Sequence, residues 1–134
     1  MGFEGMDLKY VDTFTAIIYC GFKDVDNDLG LGNEFSFDFK FNKAKKICQD
    51  YCDEIGLCVT IKPTEFIYTD GNEKGIEVGL INYPRFPDSN NKILYKAAKL
   101  AEKLMLEFNQ YRVSIVCPNK TTMLSNPNKE LNDK

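Results

Sequence analysis

The segment Tyr83-Pro84-Arg85-Phe86-Pro87 gathers residue types suited to holding a ring-bearing anion. Two prolines stiffen it, one guanidinium and one aromatic ring project from it, and it leads into a predicted helix. A helix N-terminus offers unpaired N–H groups and partial positive charge to an anion, and an aromatic ring can stack on a base. Arg112 opens the predicted strand that follows the same helix. Arg85 and Arg112 are the only arginines, set against 15 lysines and 12 asparagines. Only arginine grips a phosphate through two parallel hydrogen bonds. A plainer reading stands beside this one, with Phe86 plugging the core and Arg85 solvated, and spacing alone does not separate the two.

Other groupings of reactive residues match known chemistry poorly. The chain has no histidine, so the usual base near neutral pH is missing. Cys48 and Cys52 fall on the apolar side of a predicted helix, where thiols pack, and no spacing gives any of the five cysteines a partner base. Without histidine or a Cys-x-x-Cys pair, zinc is not expected. Asp24, Asp26 and Asp28 alternate like the start of a calcium loop. Leu29 then stands where glycine is wanted and Phe35 where a bidentate glutamate is wanted, so the segment reads as a flexible acidic loop. Gly30-Leu31-Gly32 lacks the Lys-Ser/Thr of a phosphate loop. Asp53, Glu54 and Glu73 sit at helix ends or turns and read as solvated carboxylates. On these grounds neither catalysis, nor a metal, nor a cofactor is expected.

A chain of 134 residues with 43% hydrophobic and 28% charged residues is long and apolar enough for one self-sufficient core. Its net charge of −3 argues against general nucleic-acid binding, which needs a basic face. No apolar run approaches the roughly 20 residues of a membrane span. Residues 1–12 carry Glu4 and Asp7 and no apolar stretch, so they do not read as a signal peptide. An odd, scattered set of cysteines fits reduced thiols, and the expectation is a cytoplasmic protein.

These residues must be placed by local structure. Thr13–Phe22 is rich in β-branched and aromatic residues and reads as a strand. Phe35, Phe37, Phe39 and Phe41 alternate with polar residues and predict a second strand. Asn42 caps a predicted helix whose apolar residues run from Ala44 to Ile55, with Gly56 closing it. Leu57–Tyr68 and Ile76–Tyr83 predict a hairpin around a turn at Thr69–Gly75, with Pro63 marking an edge or bulge. A helix capped within Asp88–Asn91 runs to about Asn109. Arg112–Cys117 is a last strand, which Lys120–Leu124 extends or follows with one more. The expected fold is α+β, a mostly antiparallel sheet with two helices packed on it, in the order β-β-α-β-β-α-β. Residues 1–124 form one domain and 125–134 a polar, disordered tail.

The run YCDEIGLCVTIKPTEFIYTDGNEKGIEVGLINYPRFP, the helix after it and QYRVSIVCPNKTTML resemble the phage Thoeris anti-defence sponge family, as does the early strand TAIIYCGFKD. The resemblance implies a phage protein in the infected bacterial cytoplasm that sequesters a cyclic ADP-ribose isomer (gcADPR) made by TIR-domain sensors and does not cleave it. It implies homo-oligomers, dimers or hexamers, and for some members a second site for cyclic oligonucleotides. It also implies a pocket built on Phe86, Asn91 or the adjacent Asn90, and Arg112. Arg85 or Lys120 would help neutralise the pyrophosphate, Thr122 would bond a ribose hydroxyl, and Lys23 would be a further contact. Two other classes remain open from the residues alone: a nucleotide-hydrolysing enzyme, and an interaction module without a small ligand.

Overall fold

The computed structural model describes residues 4–23 and 36–128; the acidic segment from Asp24 to Asp28, the Gly30-Leu31-Gly32 stretch and residues 129–134 of the expected tail lie outside them. The elements are β1 (Thr15–Gly21), α1 (Phe37–Ile55), β2 (Thr60–Tyr68), β3 (Gly71–Ile81), α2 (Asn90–Glu107), β4 (Arg112–Val116) and β5 (Thr121–Ser125). The strands form one sheet in the order β2-β3-β1-β4-β5, and every neighbouring pair is antiparallel. An antiparallel sheet with two helices packed on it is the expected class.

Strand periodicity decides which side chains meet the helices. Ala16, Ile18 and Cys20 of β1, Ile76, Val78 and Leu80 of β3, and Val113 and Ile115 of β4 are all buried. They alternate with residues on the opposite face, as a pleated strand requires. The helices supply Ala44, Cys48 and Tyr51 from α1, and Ile93, Ala97, Leu100, Ala101, Leu104 and Met105 from α2. Phe14 and Phe22 close the two ends of β1, with the Phe22 ring 4.5 Å from that of Phe108. No helix among the described residues is long and apolar enough to cross a membrane.

The second strand expected at Phe35–Phe41 is not formed; from Phe37 onward this run is the first turn and a half of α1. Two phenylalanines four residues apart satisfy a helix as well as a strand. The Phe37 and Phe41 rings stack at 5.5 Å on one helical face and pack against the core, while Phe39 points outward. The local determinant is Ser36, a buried N-cap whose hydroxyl accepts from the Phe39 N–H at 3.2 Å. Asn42, expected as the cap, lies inside the helix. At the other end Gly56 takes the left-handed conformation, φ 70°, and its N–H returns to the Cys52 carbonyl.

The β2–β3 turn is also shorter than expected. Tyr68 pairs with Gly71, so only Thr69 and Asp70 turn, and Asn72 to Gly75 belong to β3. After Pro118 the chain returns as β5, which reaches Ser125 opposite Arg112; the first residue assigned to the tail is therefore part of the sheet.

Ser36→Ala removes the cap of α1 from a buried position and is expected to cost about 1 kcal/mol, read from chemical denaturation. Ser36→Asp, which can still accept the hydrogen bond, should recover most of the loss.

Candidate functional site

The antiparallel register gives the sheet two distinct ends. At one end stand Thr15, the end of β3, the segment after it, the N-terminus of α2 and the β4–β5 turn. Phe86, Arg85, Asn90, Asn91 and Lys120 all belong to this end and all are exposed. Thr122 is half-buried opposite Ile115, on the helix side of edge strand β5. Arg112 and Lys23 lie at the other end. Arg112 begins the strand that finishes at Val116, about 13 Å away at the rise of an extended chain. The guanidinium of Arg112 lies over the Tyr111 ring at 4.7 Å. Lys23 follows β1, and its carbonyl accepts from the ammonium of Lys40 on α1. The residues grouped by sequence are thus divided between opposite ends.

The turn before α2 is built to be rigid. The Phe86 ring packs on Tyr83 at 5.2 Å, and the Tyr83 hydroxyl accepts from Cys58 Sγ at 3.3 Å. Asn82 ties the turn to both sides, donating to the Asp12 carbonyl and accepting from the Asp88 N–H. The helix start already holds an anion, however. The Asp88 carboxylate accepts from the Ser89 N–H at 3.0 Å and from Lys96 Nζ at 2.8 Å, and Ser89 caps the Lys92 N–H. The hydrogen bond from Lys96 holds the Asp88 carboxyl below the usual aspartate value, helped by the Ser89 N–H and the nearby charges of Lys96 and Lys92. A phosphate placed here would meet this carboxylate.

The other assembly of chemistry-bearing side chains lies on the face of the sheet away from the helices. The register sets them in rows. One row crosses all five strands as Lys62, Glu77, Tyr19, Ser114 and Met123. The next holds Thr64, Gly75 and Gly21, and the one beyond it holds Phe66 and Glu73. The middle row is bare where Gly21 faces Gly75, and its neighbours fold into the gap. A Cβ added to Gly75 would come within 2.8 Å of the Phe66 ring, and one added to Gly21 within 2.3 Å of Glu73 Oε2. An aromatic ring and a carboxylate therefore lie side by side on the backbone of two central strands. The Tyr19 ring meets Phe66 edge-on, at 6.4 Å and 69°. Glu77 is ion-paired with Lys62 at 3.6 Å.

Glu73 is held from a third element. Asn109, with φ 55°, ends α2 in the left-handed conformation. The Gln110 N–H returns to the Met105 carbonyl and the Asn109 N–H to Leu106, the closing pattern of a helix C-terminus. This delivers Gln110 to the sheet end, where its Nε2 donates to Glu73 Oε2 at 3.2 Å. The face thus offers a fixed carboxylate, two ring surfaces and a second acid. Carboxylates attract cations and ring faces stack on flat ring systems.

Sequence reading missed this site. It placed Glu73 and Gly75 in a turn and treated Tyr19 and Phe66 as ordinary strand residues. The available signal was glycine inside a strand, at positions 75 and 79, which marks close approach. Cys48 is packed as expected and Cys52 only in part; burial pushes Cys20 and Cys48 up to about 12, which keeps them protonated.

No protein-family model and no curated protein matches the chain. Two solved structures share its fold. A phage SAM lyase in complex with S-methyl-5'-thioadenosine superposes with a TM-score of 0.67 at 14% identity, over 93% of this chain and 98% of that one. A phage SAM lyase in the apo state gives 0.61 at 15% identity, over 87% and 92%. Both are phage proteins, and they are lyases rather than sponges. The expectation that this chain is not an enzyme is overturned here. It rested on the missing histidine, on cysteines without a partner base and on the resemblance to a sponge family, yet the chain adopts the fold of enzymes.

Asp88→Asn tests the electrostatics of the α2 start. A carboxyl held below its unfolded value adds stability above the unfolded aspartate range, near 3.9, and loses it as pH falls through the folded value. In urea titrations the variant should be less stable than the parent at neutral pH. The gap should close as the series is stepped into acid.

Proposed function

We propose that the chain binds S-adenosylmethionine on the helix-free face of its sheet and cleaves it to S-methyl-5'-thioadenosine. The observation that carries the reading is the Glu73 carboxylate lying beside the Phe66 ring, with Tyr19 against that ring. A sulfonium is a cation that both a carboxylate and an aromatic face attract. The adenine supplies a flat surface for stacking, worth about 1–3 kcal/mol per base. The likeness to phage lyases supports the fold on which such a site is built.

The absence of histidine suits this chemistry. The methionine carboxylate of the substrate attacks its own γ-carbon. A C–O bond forms as the C–S bond breaks, and the electron pair returns to sulfur. S-Methyl-5'-thioadenosine leaves as a neutral thioether, and the remainder leaves as homoserine lactone. No proton moves, so no general acid or base is needed. The protein contributes a geometry that folds the substrate tail back on itself and a site that excludes water. Elimination across the β- and γ-carbons would instead require a base able to remove an unactivated C–H proton, which a carboxylate is not.

An open face encloses little of a ligand. Enclosure comes from a second copy of the chain laid over it, in line with the homo-oligomer expected above. The apolar members of the face, Ile17, Val116 and Met123, would be covered by the same contact. Met123 is 57% exposed in the single chain. Capture of a cyclic ADP-ribose isomer draws on residues at both ends of the sheet, with Asp88 occupying the helix start, and so has less support.

Purified protein incubated with S-adenosylmethionine should release S-methyl-5'-thioadenosine and homoserine lactone in equal amounts, followed by chromatography and mass spectrometry. Glu73→Gln should weaken binding of S-adenosylmethionine and raise KM by roughly tenfold, the scale of a lost interaction with a charged group. Intact S-adenosylmethionine beside tight binding of gcADPR would contradict the reading.

A further inference from the structure

We propose that Cys52 and Cys58 are a redox pair, a modification site at which a hydroperoxide closes a reversible disulfide across the junction of α1 and β2. The site is separate from the ligand face and does not depend on what that face binds.

The fold brings these two thiols together. Cys52 lies in the last turn of α1, and Cys58 lies in the short connection between Ile55, where α1 ends, and Thr60, where β2 begins. Gly56 reverses the chain there, and the N–H groups of Gly56 and Leu57 both return to the Cys52 carbonyl, at 2.9 and 3.2 Å. Burial and the neighbouring Cys58 push the Cys52 thiol up, and the Val59 N–H pulls against that shift. Cys58 is thus bracketed by two peptide N–H groups that both act on Cys52. Both thiols line one cavity of about 330 Å³, together with Cys48, Lys45 and Gln49. A third element meets both of them. The Tyr83 hydroxyl accepts from Cys58 Sγ at 3.3 Å and is pushed up by that bond, by burial and by the closeness of Cys58 and then Cys52.

The three thiols of the cavity are not equivalent. Cys58 is exposed, Cys52 half-buried and Cys48 buried. An oxidant in solution therefore reaches Cys58 first. Cys48 and Cys52 are one helical turn apart, where Cβ atoms stand about 5–6 Å from each other. A disulfide needs about 3.5–4.5 Å, and the intact helix holds that pair apart. Residues 56–59 belong to neither helix nor strand, so Cys58 can close on Cys52 without breaking a regular element.

The chemistry balances with a hydroperoxide as oxidant. The Cys58 sulfur attacks one oxygen of hydrogen peroxide, the O–O bond breaks, and the displaced hydroxide leaves as water with a proton, giving a sulfenic acid. The Cys52 sulfur then attacks the Cys58 sulfur. An S–S bond forms as the S–O bond breaks, and the hydroxide takes the Cys52 proton and leaves as a second water. The two thiols lose two electrons, and the peroxide gains them. A dithiol reverses the bond by exchange.

The test treats the reduced full chain with hydrogen peroxide, blocks remaining thiols by alkylation and maps it by mass spectrometry without reduction, after cleavage at Glu54 between the two cysteines. The expected product is a single chain in which the peptides holding Cys52 and Cys58 are joined, two hydrogens lighter than their sum, and which dithiothreitol separates again. Cys52→Ser should lose the joined product and leave Cys58 to proceed to its sulfinic acid, whereas Cys48→Ala should still form it. Cys58 recovered as sulfinic acid in the parent, joined to a second chain, or alkylated unchanged while glutathione in the same tube is oxidised would overturn the proposal. If a variant fails to fold, the map of the parent alone decides.

Discussion

Burying one face of a five-stranded sheet and leaving the other uncovered is the constraint from which the rest of this structure follows. Both helices lie on the side of Ile18, Val78 and Ile115, so every alternate residue of the central strands is committed to the core. The residues between them are released from packing duty. On most antiparallel sheets that second face simply carries polar residues. Here it carries rings and acids around a bare glycine pair, and side chains lie along the backbone instead of standing up from it. The site is thus a by-product of the pleat: a one-residue slip of β1 or β3 would exchange Tyr19 and Glu77 for core residues.

Much of this was legible in the sequence, and the failures have physical causes. Thr13–Phe22 and the amphipathic pattern of α2 gave their elements directly, because long runs of one period leave little ambiguity. The phenylalanines at 37, 39 and 41 did not, since spacings of two and four are shared by a strand and by alternate faces of a helix. Ser36 resolved the matter through a cap that the pattern alone did not weight. The site was less legible than the fold. Phe86, Asn91 and Arg112 are close in the sense of flanking the same helix, but α2 spans 18 residues and carries its two flanks to opposite ends of the sheet. Tyr19, Phe66, Glu73 and Gln110 are far apart in sequence and meet only through strand order and register, which local pattern does not reveal. Glycines inside β3 were the one local trace of them.

A chain without histidine is poorly equipped for proton transfer and well suited to chemistry that needs none. Sulfonium cleavage by an internal carboxylate creates no charge that a general acid must neutralise. What it needs from a protein is orientation, and groups that bind the sulfonium and the adenine so that the tail is held for attack. The helix-free face offers both with few parts. The carboxylate is seated by a glycine and a glutamine, and the rings rest against one another. Cys20 and Cys48, their thiols pushed up to about 12 by burial, are packing residues.

The central claim is the location of the ligand, and amide NMR of the free protein titrated with S-methyl-5'-thioadenosine tests it most directly. The account predicts shift changes concentrated at Tyr19, Gly21, Phe66, Glu73, Gly75 and Glu77, with Phe86, Asn90 and Asn91 unmoved. Changes centred on the segment from Tyr83 to Asn91, with β1 and β3 silent, would contradict it.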